Sequence, residues 1–423
     1  MRTIVQGMAA CLLLVAAGAA GQENGGPTPY DKAMARGQKA LAAEDWLTAA
    51  QSFGQALRLK PGDEEAAKAF KDAVKKIEVY NTRIDPLKGR TMERYGSTGS
   101  RDAIRDGLAW LVKKQAEDGH WTNTSPQPHA KDDLAPTAFA LLALLADGSC
   151  EVEGEHREAV RKGIAWILAR QQDGGSFGGA THYSEGLAAL AVVEAFAMGG
   201  TDETFLAAQK SLNYVVEARC PKGGWVYQPS TQEGYGDVSV SGMMFQPLKQ
   251  AQMVYLDFRY DTLLEFADWV ESVTFESGEV PYRPGQAAPH HAPSLTAIGC
   301  LTRIYAGDTR ETSPSLALGV DRVFAAKDQL RSHIYFLYYG TMLAFLVGGD
   351  SWRTWNEPMM EYLLSKQAKE GDDKGMIWDP EEYWAKLGYV DPVLFHSMAM
   401  LSLECCYRYV PHPMVPEEEP KEE

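Results

Sequence analysis

Gln115-Ala116-Glu117-Asp118-Gly119-His120-Trp121, followed after a short loop by the apolar run from Asp133 to Leu145, decides the fold. A helix with one apolar face ends in Gln-x3-Gly-x-Trp, and a second, more apolar helix opens on Asp. The unit returns. Gln171 to Phe177 repeats it at the same internal spacing, and Arg219 to Trp225 repeats it with Arg in place of Gln. Residues 101–411 read as about six copies of this unit, some degenerate.

The first helix of each pair carries an aromatic at a corresponding place: Trp110, Trp166, Tyr214, Trp269, Phe324 and Tyr362. Each pair then turns on a Gly and an aromatic, with Trp121, Phe177, Trp225, Tyr282 and Trp378 in that position; the fifth copy lacks this turn. The second helices (Thr137–Leu145, Gly186–Phe196, Val240–Val254, Leu295–Tyr305, Ile334–Val347, Val393–Cys406) are apolar almost all round. Helices without a polar face belong inside, and those with one charged face belong outside. The expected fold is all-α: an inner ring of about six helices wrapped by an outer ring of about six, an α6/α6 toroid. Closure buries the end faces that an open solenoid has to cap.

Gln-x3-Gly-x-Trp turns joining such pairs resemble the repeat of the terpene (squalene) cyclases, shared more loosely with protein prenyltransferase β subunits. The resemblance covers about three quarters of the chain. It implies a toroid with a central cavity and a hydrophobic or isoprenoid-like ligand. The chemistry of those families does not carry over with it. The cyclases protonate substrate with an Asp-x-Asp-Asp acid, which is absent, and Lys131-Asp132-Asp133-Leu134 lacks the first carboxylate. The Asp-x-Cys zinc pair of the prenyltransferases and the Cys-Gly-Glu-Gln thioester of related complement-type toroids are absent too.

Reading back from each apolar run gives the residues that start the inner helices: Asp133, His182, Asp237, His291, His333 and Asp391. In a toroid these starts meet at one end of the central hole, where helix N-termini favour an anionic or polar ligand. The aspartates are also preferred N-caps, which explains them without function. His is a less usual cap. Two uses of the rim stay open. His182, His291 and His333 with nearby carboxylates form a candidate divalent-metal site. Alternatively Asp133, Asp237 and Asp391 supply an acid and a base for a sugar or polyprenyl substrate. Tyr183, Tyr235, Tyr335, Tyr338 and Tyr389, with Phe336 and Tyr339, crowd the same region and are candidate ligand-binding rings, or simply fillers of the hole. Glu185 and Glu404 lie within apolar helices and are candidates for carboxyls with raised pKa.

Upstream, residues 30–80 form a separate helical unit. Gly37, Ala40, Ala49, Phe53, Ala56 and Pro61 match the spacing of a tetratricopeptide-like hairpin, and residues 81–100, rich in Gly and Pro, read as a linker. Residues 1–20 have the charged start, apolar middle and small-residue end of a Sec-type signal peptide, so the protein is expected to be exported to a bacterial periplasm or beyond. Cys150, Cys220, Cys300, Cys405 and Cys406 remain, an odd set without close spacing and no disulfide framework. Residues 412–423 read as an acidic tail. The formal charge of −16 excludes nucleic acid as the main partner. These readings converge on a toroid binding a hydrophobic or isoprenoid-like ligand. The alternatives are a non-catalytic protein-interaction scaffold and a glycan-acting enzyme using rim carboxylates.

Overall fold

A computed structural model describes residues 27–60, 62–74, 83, 88, 92, 98–127, 132–228, 234–287 and 292–409. The expected leader, the acidic tail and His291 lie outside the described residues. Helices α1 (Pro29–Ala42), α2 (Trp46–Leu59) and α3 (Glu64–Val74) form the N-terminal unit. Gly37 lets α1 and α2 approach closely, since a Cβ there would sit 2.6 Å from the Phe53 ring. The unit docks through Phe70, whose ring lies 6.5 Å from Phe196 and 6.1 Å from Phe205.

Six helix pairs follow among the described residues. The outer members are α4 (Thr98–Lys114), α6 (Arg157–Leu168), α8 (Asp202–Glu217), α10 (Asp261–Val273), α12 (Pro314–Ala325) and α14 (Gly349–Ser365). The inner members are α5 (Leu134–Ala146), α7 (His182–Ala197), α9 (Val238–Met253), α11 (Ala292–Ala306), α13 (Ile334–Val347) and α15 (Pro392–Leu403). The segregation follows the sequence pattern. Every residue of α13 from Phe336 to Leu346 is buried, whereas α6 buries only Ala159, Val160, Gly163, Ile164 and Ile167, one helical stripe. Each inner helix packs on the next, and α15 packs on α5, so the ring is closed. Among the described residues no strand forms beyond two isolated bridges, and no helix is long and apolar enough to cross a membrane.

The Gln-x3-Gly-x-aromatic turn is the joint. The Gln115 side-chain amide donates to the Gly119 carbonyl (2.8 Å) within its own turn and to the Ala159 carbonyl (2.9 Å) of the next outer helix. Gln171 does the same with Gly175 and Ala207, and Gln367 with Gly375 and Ala103, the last bond joining the sixth copy to the first. The indole N–H of Trp121 donates to the Leu111 carbonyl and that of Trp225 to the Val215 carbonyl, so each ring ties the turn to its own outer helix. In the fifth copy a 3-10 helix (Lys327–Arg331) replaces the turn.

One boundary differs from the sequence reading. Helix α4 starts at Thr98, inside the expected linker. Arg83, Lys88 and Met92 do not behave as linker residues: Arg83 and Met92 are buried against the toroid, and Lys88 donates to the Asp147 carbonyl at 2.8 Å. Their anchoring charges and a thioether account for the docking that a Gly/Pro count did not predict.

Candidate functional site

Among the described residues, five of the six inner-helix starts are bonded to the turn of the following copy, and they form a belt at one end of the ring. The Asp132 carboxylate accepts from the Ala180 N–H (2.8 Å). The His182 N–H donates to the Tyr227 carbonyl, and the Val238 N–H to the Tyr282 carbonyl. The Ile334 N–H donates to Glu382 (2.8 Å), and the Thr124 N–H to Asp391 (2.8 Å), which closes the belt from sixth copy to first.

The predicted rim residues divide within it. Asp391 is a cap whose oxygens are all engaged, one by the Leu394 N–H (2.8 Å) and the other by the Thr124 N–H and hydroxyl. Asp133 makes no cap bond; it accepts from the Asn123 N–H (2.7 Å) while Asp132 takes the N–H of Leu134. Asp237 is different. It is fully buried, its Oδ1 accepts from the Val240 N–H (2.9 Å), and its Oδ2 has no hydrogen bond of normal geometry, although the Tyr282 hydroxyl lies beside it. Burial pushes this carboxyl up to about 6, against the pull of the Val240 N–H and of Arg283. Of the three aspartates, Asp237 keeps an open lone pair.

The histidines do not gather. His182 turns away from the axis: its Nδ1 bonds the Val226 carbonyl at 2.7 Å and its ring meets Tyr214 of the outer helix α8 edge-on at 6.0 Å. Burial lowers its pKa, so it is a neutral packing residue. His333 stacks on Tyr383 at 4.9 Å. Among the described residues no group of three or more His, Cys, Asp or Glu is arranged to hold a metal ion.

The tyrosines do converge. Tyr183 of α7 meets Tyr335 edge-on at 6.3 Å, and Tyr335 belongs to α13, three places round the ring. Tyr183 also stacks on Tyr227 at 6.4 Å, and its hydroxyl faces that of Tyr339. These rings cross the axis, so the hole is plugged at this depth rather than open. Tyr338 packs deeper, edge-on to Phe139 at 6.0 Å and to Tyr339 at 5.1 Å. The hydroxyls of Tyr183 and Tyr339 meet each other and that of Tyr338 meets Arg408, polar contacts in an otherwise apolar shaft. Tyr389 and Tyr235 sit at the outer edge, 38% and 49% exposed; Tyr389 meets Trp384 edge-on, and Lys222 lies over Tyr235. A narrow crease remains along α9, α11 and α13, lined chiefly by Phe245, Gln246, Leu301, Tyr305, Tyr339 and Met342, with an enclosed volume of about 10 Å³.

Both buried glutamates resolve. Glu185 accepts from the Ser176 hydroxyl, the Phe177 N–H and the Gly179 N–H, the last at 2.6 Å. That is the place held by Thr137 under Trp121 and by Ser241 under Trp225, so its role is to seat the turn. Glu404 lies at the far end, fully buried beside the Tyr407 hydroxyl, and burial holds its carboxyl well above the usual range. Glu382 was not singled out by sequence. It accepts from the N–H groups of Ile334, Trp384 and Ala385, taking over the capping of α13 that His333 does not perform, and burial pushes it up to about 7. A signal existed: Asp379-Pro380-Glu381-Glu382 has the spacing of the cyclase tetrad with Glu in the last two places.

The squalene-hopene cyclase C-terminal domain model matches residues 86–193. Over 73% of the chain the fold also superimposes on the type II terpene cyclase MstE from Scytonema, covering 97% of that protein at 13% identity and a TM-score of 0.50. The chain has the fold of a terpene-cyclase-like α/α toroid. This toroid is also similar to a family 76 glycoside hydrolase from a bovine Bacteroides thetaiotaomicron strain (12% identity, TM-score 0.54, covering 73% of this chain and 78% of that one). A third similar structure is the α-1,6-mannanase of a Salegentibacter species (10% identity, TM-score 0.52, covering 72% of this chain and 98% of that one). Identities this low speak for the toroid's architecture and not for its activity. None of the curated proteins matches the toroid in sequence.

Proposed function

We propose that the protein is an exported binding toroid that holds a hydrophobic, isoprenoid-like ligand in an axial crease without cyclising it. One observation carries this reading: the crease between α9, α11 and α13 is lined by apolar and aromatic side chains, among them Phe245, Leu301, Tyr305, Tyr339 and Met342. Its enclosed volume is about 10 Å³, room for one water molecule. A prenyl chain enters only by displacing lining side chains, and no room is left to fold a polyene for ring closure. Tyr183 and Tyr335, crossing the axis, occupy space that a folded polyene would need. The similar Scytonema cyclase, solved with geranylgeranyl dihydroxybenzoate, supports the ligand class.

The test is titration of the full chain with geraniol and farnesol, followed by aromatic fluorescence. Binding is expected in the wild type and lost by at least about tenfold in Met342→Trp, which fills the crease. No binding by wild type, together with clean organic extracts of the purified protein, would leave the interaction-scaffold reading in its place.

A glycan-acting reading has its own support: the buried Oδ2 of Asp237 has no hydrogen bond of normal geometry, and Asp237 lies within electrostatic reach of the Tyr227 hydroxyl. Release of reducing ends from α-1,6-mannan by wild type, abolished in Asp237→Asn, would favour it; no release removes it.

A further inference from the structure

Five aromatic rings meet in succession across the belt end of the toroid. Tyr227, in the turn of the third copy, stacks on Tyr183 at 6.4 Å, and Tyr183 meets Tyr335 edge-on at 6.3 Å. Tyr335 meets Trp384 edge-on at 6.0 Å, and Trp384 meets Tyr389 at 5.9 Å. None of the five is sealed in the core. Tyr227 and Tyr389, the two ends, are 37% and 38% exposed, and Tyr183, Tyr335 and Trp384 between them are half-buried. Rings that only filled the hole would be dry, as Tyr338 and Tyr339 are one turn deeper along α13.

The row lies in a recess and is held by the backbone. Burial pushes the Tyr227 hydroxyl up to about 12 although more than a third of the residue is exposed, so it faces a concave surface. The Tyr227 carbonyl accepts from the His182 N–H, and the Tyr389 N–H donates to the Trp384 carbonyl at 3.0 Å. Tyr183 and Tyr335 lie in the first turns of α7 and α13.

The chemistry of the recess narrows what it can take. Charge reaches Tyr227 from Asp237, and Tyr335 from Glu382 and Asp391, all carboxyl groups. A phosphate or diphosphate would add negative charge beside them, which is unfavourable. A purely apolar chain gains most by leaving water altogether, and a half-exposed row does not provide that. A succession of rings suits an extended guest, whereas a single ammonium group needs faces gathered round one point. A neutral oligosaccharide fits all three conditions. Each sugar lays its C–H face on an aromatic ring and keeps its hydroxyls in water or on polar edges. Such edges are present: the Ser239 hydroxyl lies 3.4 Å from that of Tyr227, and the Asp133 carboxylate on the same belt is partly exposed.

We infer that this row is a binding surface for a neutral oligosaccharide, whose sugar rings stack along Tyr227, Tyr183, Tyr335, Trp384 and Tyr389. It goes beyond both readings above, since it needs neither the crease between α9, α11 and α13 nor catalysis by Asp237.

The experiment titrates the full chain by calorimetry with α-1,6-mannotetraose, maltotetraose and cellotetraose, and with mannose and glucose. At least one tetrasaccharide is expected to bind with a Kd below about 1 mM and at least about tenfold more tightly than its monosaccharide, because several rings are engaged at once. Tyr227→Ala and Tyr389→Ala, at the two ends, should each weaken it about three- to tenfold. Tyr227→Phe and Tyr389→Phe keep the rings and should stay within about twofold of wild type. Hydrogen exchange on the wild type is a second measurement that needs no variant: the bound tetrasaccharide should protect residues 225–228 and 383–389. The inference is overturned if no tetrasaccharide binds, if binding ignores both Ala variants, or if the protection falls elsewhere. Choline bound more tightly than any tetrasaccharide would make the row a cation site instead, and farnesol weakened by Tyr227→Ala would make it the mouth of the isoprenoid site. Binding without release of reducing ends would keep the row and remove only the catalytic reading.

Discussion

Asp237 is both a cap and a buried charge, and the two roles pull its proton in opposite directions. Its ordinary pKa is 3.8 and burial raises it to about 6 in the folded chain. The folded state then holds this proton more tightly than the unfolded one, so ionised Asp237 costs stability above about pH 6 and costs nothing once the pH falls below about 4. A shift of that size corresponds to roughly 3 kcal/mol at most. Asn is as good an N-cap as Asp and carries no charge. Asp237→Asn should therefore be more stable than wild type by about 1–3 kcal/mol at pH 8, with the margin gone by pH 4. Urea unfolding at the two pH values checks this, and a margin independent of pH would show that the ionisation is not what costs. Asp391 makes a control: its oxygens are all engaged by N–H and hydroxyl donors, so replacing it loses bonds as well as charge.

At the scale of the elements, the joint between copies is one amide and one glycine. The Gln367 amide bonds the carbonyls of Ala103 and Gly375 at 2.8 and 3.0 Å. Gln367→Ala leaves both without that donor, a loss of about 1–3 kcal/mol in urea unfolding. Gly375 has a φ of +94°, and a Cβ there would lie 2.0 Å from the Asp106 carbonyl oxygen of α4. Gly375→Ala must move backbone at the ring closure and should cost more, about 2–4 kcal/mol, by the same measurement. These joints were legible in the sequence because they are local: Gln, Gly and the aromatic sit within seven residues, and period separates inner from outer helices. The six helix starts were legible for the same reason. What the rim residues face was not. Whether His182 points to the axis or to Tyr214 depends on rotation about its helix, and whether Tyr183 reaches Tyr335 depends on the ring's diameter. Neither is written in any one copy. Glu382 was hidden differently: it caps a helix that starts 48 residues before it.

For the whole molecule, the same limit explains the charge cluster at the end of the shaft, assembled from three distant segments. Arg83 precedes the toroid, Glu194 belongs to its second inner helix, and Arg408 follows its last. Arg83 donates to the carbonyls of Leu145 and Arg408 as well, so its one guanidinium is tied to the first inner helix and to the end of the ring. Burial alone would raise the Glu194 carboxyl, but the charges of Arg408 and Arg83 outweigh it and hold it below its ordinary 4.5. A depressed folded pKa contributes stability that is present above the unfolded value and lost as the pH falls through the folded one. Glu194→Gln leaves two buried guanidinium groups facing a neutral amide. It should cost about 3–5 kcal/mol near pH 7, since breaking a buried pair strands its partner. It should also flatten the acid limb, because wild type loses this contribution below about pH 4.5 and the variant has none to lose. Urea unfolding from pH 7 down to pH 3 reads both effects. If Glu194→Gln unfolds at the same midpoint as wild type at pH 7, the three segments are held together by their apolar packing, and the triad is not what fastens Arg83 to the ring.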